Sequence, residues 1–199
     1  MKPLPTPTTR IPGADHGFTL IELLMTMVVA GILVAIAVPA FNSFVLNDRD
    51  IGQINSLVSS LNYARSEAVK VASPTGITVC PSGGGTTCVP GAPWSNGWIV
   101  IDTNNADCGG AACPPLQSIP PLAGSNLVTP VGPAATGITF LSSGLVTPTA
   151  PGVLSLTIRV CDIRGAAFAR DIEVNATGRV AASQKQGFAV DGVTPLVCP

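Results

Sequence analysis

Charge is scarce in this chain of 199 residues: Lys, Arg, Asp and Glu make up 11% of it, and the formal net charge is −1. That balance lacks the basic excess expected of a nucleic-acid binder, although a local patch would escape such a count. Histidine is scarcer still, with His16 alone, and it falls in the segment read below as a removable leader, so the numerous serines have no matching base; Gly-x-Ser-x-Gly does not occur either. No CxxC pair is present, which argues against a zinc site. Asp102, Asp107 and Asp162 do not stand in a D-x-D-x-D loop and read as scattered loop carboxylates rather than calcium ligands. The glycine-rich Pro81-Ser82-Gly83-Gly84-Gly85-Thr86-Thr87 is followed by neither lysine nor a helix pattern, which excludes a phosphate-binding loop. Catalytic residues, metal ligands and cofactors are therefore not expected.

What the chain does have is one long apolar run. From Leu23 to Asn47 there are 25 residues without a charge; as helix they span about 37 Å, against a bilayer core of ~30 Å. Glu22 stands at the lip of this run, where an unpaired carboxylate costs roughly 2–3 kcal/mol or more and calls for a partner. Residues 1–17 are polar and proline-rich, carry Lys2 and Arg10, and read as a targeting leader. Positive-inside reasoning keeps that leader in the cytoplasm and puts the bulk of the chain outside. Pro39 removes one backbone donor and should kink or loosen the helix. Cleavage after Ala35-Ile36-Ala37 would release a soluble secreted domain; cleavage after Gly17 would retain residues 18–47 as a transmembrane helix.

Helical periodicity continues through residues 48–73. Ile51, Ile54, Val58, Leu61, Ala64, Ala68 and Val71 form one apolar stripe suited to packing on a sheet. Asp48, Arg49, Asp50, Gln53, Asn55, Ser59, Asn62, Arg65, Glu67 and Lys70 fall largely on the other faces, with Arg65 and Lys70 read as solvated charges. Pro74 ends the helix, and residues 74–199 form a β-rich domain. Strands are expected at Gly76–Cys80, Gly97–Asp102, Gly137–Phe140, Val153–Cys161, Ala167–Val174 and, last and short, Gly178–Ala181. Trp94 and Trp98 read as packing groups. Thr103–Pro133 reads as an extended loop with room for one short strand. The fold class is α+β: a long N-terminal helix packed on an antiparallel sheet.

Six cysteines, Cys80, Cys88, Cys108, Cys113, Cys161 and Cys198, in a chain with an export signal point to disulfides in an oxidising compartment. Fifteen pairings are open to six cysteines. Proximity in sequence favours Cys80–Cys88 and Cys108–Cys113, leaving Cys161–Cys198 to fasten the C-terminus.

Gly17-Phe18-Thr19-Leu20-Ile21-Glu22 and the uncharged run behind it resemble the prepilin cleavage motif of type IV pilins and type II secretion pseudopilins. Gly31 and Pro39 also fall where that family commonly has them. The resemblance implies cleavage between Gly17 and Phe18 by a prepilin peptidase, N-methylation of Phe18, and pairing of Glu22 with the terminal amine of a neighbouring subunit. Methylation keeps the amine charged, so it still favours an ionised Glu22. The later order Gly-Trp-Ile-Val, Ile-x-Phe-x-x-x-Gly, an alternating strand and Asn-x-x-Gly-Arg is similar to the H-type pseudopilins and the FimT and FimU minor pilins. That likeness implies a non-enzymatic filament subunit in the bacterial inner membrane, its globular domain in the periplasm. The implied partners are other pilin subunits, the peptidase, an inner-membrane assembly platform and membrane lipid.

DNA-binding members of the FimT kind carry Gly-Arg-x-Arg near the C-terminus. Gly178-Arg179-Val180-Ala181 has only the first arginine. Arg179 and Lys185 are the candidate DNA contacts, with Arg159, Arg164 and Arg170 as available neighbours, but Asp162, Asp171, Glu173 and Asp191 balance them. Arg179 is read first as a solvated strand-end arginine.

Overall fold

The computed structural model describes residues 17–102, 114–147 and 155–198. The chain divides into two compact units, Met1–Phe44 and Val45–Pro199. One helix, α1 (Leu20–Val71), contributes to both. Thr19 caps its start, its hydroxyl accepting the Glu22 N–H (3.3 Å) and its carbonyl the Leu23 N–H (3.2 Å). At the other end Ala72 turns left-handed (φ 49°), as a residue just past a helix commonly does, and Ser73-Pro74 prevents continuation.

In the first unit every described residue is exposed, and α1 passes through Pro39 as helix. The apolar stretch has a mean hydropathy of 2.6 over eighteen residues, none of it buried within the chain. It is long and apolar enough to cross a membrane.

Among the described residues, the second unit is built on two antiparallel four-stranded sheets. The first has the order β3-β2-β1-β5, from β1 (Ile77–Pro81), β2 (Trp98–Asp102), β3 (Gln117–Ile119) and β5 (Ile138–Phe140); the second is β4-β6-β7-β8, from β4 (Leu127–Val131), β6 (Ser155–Cys161), β7 (Arg170–Asn175) and β8 (Val180–Ala182). All pairings are antiparallel, with Val79 opposite Val100 and Ile158 opposite Ile172. The α+β reading holds, with two sheets where a single sheet was expected. Ile54, Leu57, Leu61, Ala64 and Ala68 of α1 share one core with Val79, Trp98, Val100 and Phe140 of the first sheet and Leu156, Ile158, Ile172 and Val174 of the second. Trp94 and Trp98 are fully buried. The Trp98 ring N–H donates to the Ser60 hydroxyl at 3.0 Å, so its burial leaves no polar atom stranded.

Several sequence expectations need correction. The stripe omitted Leu57, which is buried, and included Ile51 and Val71, which are exposed. Asp50 and Gln53 face inward, because partners distant in sequence satisfy them. Arg65 is half-buried rather than solvated. Its guanidinium donates to the carbonyls of Gly144 and Thr177, both at 3.2 Å. The Thr103–Pro133 stretch carries two described strands, β3 and β4. The β4 strand contains Pro130, tolerated because β4 is an edge of its sheet. Ala166–Phe168 is a 3-10 turn and β7 starts only at Arg170.

Candidate functional site

At the N-terminal end, Gly17, Phe18 and Thr19 precede α1, and Glu22 is its third residue. Thr19-Leu20-Ile21-Glu22 has the spacing of a capping box, in which the threonine hydroxyl takes the N–H of the glutamate. A carboxylate in the first turn also complements the positive end of the helix dipole. Phe18, 84% exposed, and Glu22 thus stand on an unburied segment in which Glu22 is the one charge. The capping role was legible in the sequence as T-x-x-E.

The second polar centre lies where α1 joins the sheets. Asp50 accepts from the Asn126 amide (2.6 Å) and from Arg164 Nη2 (3.2 Å); Asn126 also donates to Gln53 (2.8 Å), which donates to the Ala123 carbonyl (3.0 Å). Arg164 forms an ion pair with Asp162 as well, donates to Asn47 Oδ1 at 2.8 Å, and lies 4.1 Å from the centre of the Phe168 ring. Gln186 reaches the same Asn47 oxygen at 3.0 Å. Two buried carboxylates thus share one guanidinium. Burial first, and then the nearby charge of Asp162, push the Asp50 carboxyl up to about 6, against the opposing pull of Arg164 and Asn126. Periodicity alone hid this cluster, since it assigned Asp50 and Gln53 to the wet face.

Arg159 and Arg170 are also engaged. Arg159 holds Asp171 through two hydrogen bonds of 2.8 and 2.9 Å and the Val197 carbonyl at 2.7 Å. Arg170 donates to the carbonyls of Ser183 and Gln184. Neither these two nor Arg164 is a spare neighbour for a DNA contact. Arg179 and Lys185 are exposed and do line one groove, of about 410 Å³, together with Asp191. Hydrogen bonds from the Thr194 hydroxyl and from the Thr194 and Val193 N–H groups hold the Asp191 carboxyl below the usual range, so an anion competes with the two cations there. Lys185 itself stacks on Phe188, 3.6 Å from the ring centre.

Gly178, just before Arg179, has a structural task. Its φ is +75°, and a Cβ on it would collide with the carbonyl of Gly144, the residue whose oxygen Arg65 holds. The glycines of Ile-x-Phe-x-x-x-Gly and Asn-x-x-Gly-Arg therefore meet over one helix arginine. Disulfides join Cys80 to Cys88 and Cys161 to Cys198. The Cys108–Cys113 pairing lies outside the described residues.

An exposed apolar helix with a capped glutamate at its start, continuous with the helix that backs a β domain, defines the class as pilin-like. A family model described as the prokaryotic N-terminal methylation motif matches residues 13–38, and one described as type II transport protein GspH matches residues 53–178. The chain belongs to the GspH family, whose pilins and pseudopilins are structural subunits that assemble with other pilin subunits and are not enzymes. Two crystal structures of the Pseudomonas aeruginosa type IV minor pilin FimU share the fold. One aligns with a TM-score of 0.52 at 19% identity over 71% of this chain and 98% of that one. The other aligns with a TM-score of 0.52 at 18% identity over 73% and 97%.

Proposed function

We propose that this chain is a minor pilin or pseudopilin of a type IV pilus or a type II secretion pseudopilus. Residues 1–17 are the leader that a prepilin peptidase removes between Gly17 and Phe18, Phe18 then being N-methylated. Residues 18–47 anchor the subunit in the inner membrane, and the domain stands in the periplasm until an assembly platform moves the subunit into a filament. The observation that carries this reading is Glu22, the one charged residue between Phe18 and Asn47. Neutralising it by the charged amine of a neighbouring subunit removes the roughly 2–3 kcal/mol cost of an isolated carboxylate in that setting. The test is Glu22→Ala in the full chain. N-terminal sequencing should still find Phe18 first, while incorporation into filaments drops by about tenfold or more, consistent with that cost. Normal incorporation would refute the docking role, and a mature start near Val38 would instead identify a soluble secreted domain.

A second reading, DNA capture during uptake, draws support from the shared groove of Arg179 and Lys185. It expects a DNA mobility shift that weakens steeply with salt and disappears in Arg179→Ala; no shift at low salt ends it.

A further inference from the structure

We propose that the outer edge of β8 docks an extended, acidic segment of a partner protein, which adds to the second sheet as a further strand. β8 ends the order β4-β6-β7-β8 and, among the described residues, pairs with β7 alone. The bonds at either end of that pairing show which of its backbone groups are engaged. The Asn175 N–H donates to the Arg179 carbonyl (3.1 Å) and the Ser183 N–H to the Asp171 carbonyl (2.8 Å). Arg179, Ala181 and Ser183 therefore turn their backbone groups towards β7. Antiparallel pairing alternates along a strand, so the N–H and carbonyl of Val180 and of Ala182 point the other way, out of the sheet's edge.

The groove of Arg179 and Lys185 follows this edge. Successive side chains of a strand lie on opposite faces. Ala182 packs against the core and Ala181 faces away from it, yet both line the groove. A groove touched by both passes along the edge between the two faces, and methyl side chains leave room there for a second backbone at the ~4.8 Å strand spacing. Charge selects what enters. Arg179 and Lys185 flank the strand, exposed and, among the described residues, in no ion pair. Asp191, which shares the groove, has its carboxylate engaged by Val193 and Thr194. Glu173 lies opposite Ala181 on β7, across the ladder from the outer edge. An unpaired edge flanked by cations repels a basic strand and favours an acidic one. A peptide also meets both the donors and the acceptors of the edge, whereas a phosphate backbone has no N–H for the Val180 and Ala182 carbonyls.

The test titrates a short fluorescein-labelled peptide of alternating Glu and Thr with the full chain in uncharged detergent micelles, following anisotropy. Saturable binding is expected. The same peptide with Lys in place of Glu, or N-methylated throughout so that it keeps its carboxylates but cannot donate, should bind about tenfold more weakly or worse. Arg179→Ala and Lys185→Ala should each weaken binding about two- to fivefold, the range for exposed ion pairs. Ala182→Pro removes an outward N–H while leaving the bonds to β7, a change an edge strand tolerates, and should weaken binding about tenfold. Undiminished binding of the N-methylated peptide overturns strand addition, whatever Ala182→Pro does to folding. Equal binding of the Lys peptide overturns the acidic partner, and no binding of the Glu-Thr peptide overturns the site. A shift of duplex DNA by a chain that ignores the peptide assigns the groove to nucleic acid and overturns the proposal too.

Discussion

On either side of Phe44, α1 uses its side chains in opposite ways. Upstream, every described residue is exposed and nearly all are apolar; downstream, five apolar residues, Ile54, Leu57, Leu61, Ala64 and Ala68, are buried, together with the polar Asp50, Gln53 and Ser60. The upstream half has no stripe because every face suits the same surroundings. The downstream half has one because a single face meets the sheets. One helix thus shows that periodicity reports asymmetry of environment, whereas hydropathy reports only its average.

The sharpest break in this contrast is Arg164→Ala. It strips Asp50 and Asp162 of their shared cation, and an orphaned buried charge costs about 3–5 kcal/mol. Chemical denaturation of the second unit should register that loss; a change within experimental error would mean that the cluster is wet. Next comes a matched pair of truncations. Leu61→Ala, at a fully buried position, should cost about 2–5 kcal/mol. Leu33→Ala, with Leu33 62% exposed, should leave unfolding unchanged within about 0.5 kcal/mol. Equal effects would erase the distinction between the two halves.

The smallest effect is a pH dependence at the junction. Because the folded chain raises the Asp50 carboxyl from 3.8 to about 6, it binds that proton more tightly than the unfolded chain does. The contribution of this group is therefore fully present below pH about 4, falls as pH rises towards about 6, and is absent above that. Asp50→Asn, which imitates the protonated form, should flatten this slope relative to wild type. An unchanged slope in thermal melts across that window would contradict the assignment.

The same contrast explains what could be read from the sequence. The apolar run, the helix continuing past it, β1, β2 and the β6–β7 pair were legible because each depends on local patterning. Asp50 and Gln53 were misplaced because their partners, Asn126 and Arg164, are more than 70 residues away. Arg65 was misread for the same reason, as its acceptors are carbonyls at Gly144 and Thr177. β3, three residues long, and β4, containing a proline, carry too little pattern to stand out in a Gly- and Pro-rich stretch. The Gly178-Arg179 pair resembled a ligand motif, yet its glycine is needed for backbone clearance against Gly144.

The junction at Asn47–Gln53 has a mechanical consequence. A pull arriving at Asn47–Gln53 reaches the second sheet through several attachments together, the β6–β7 turn by way of Arg164, the loop after β8 by way of Gln186 and the loop before β4 by way of Asn126. Such a load is shared between neighbouring strands instead of peeling one edge.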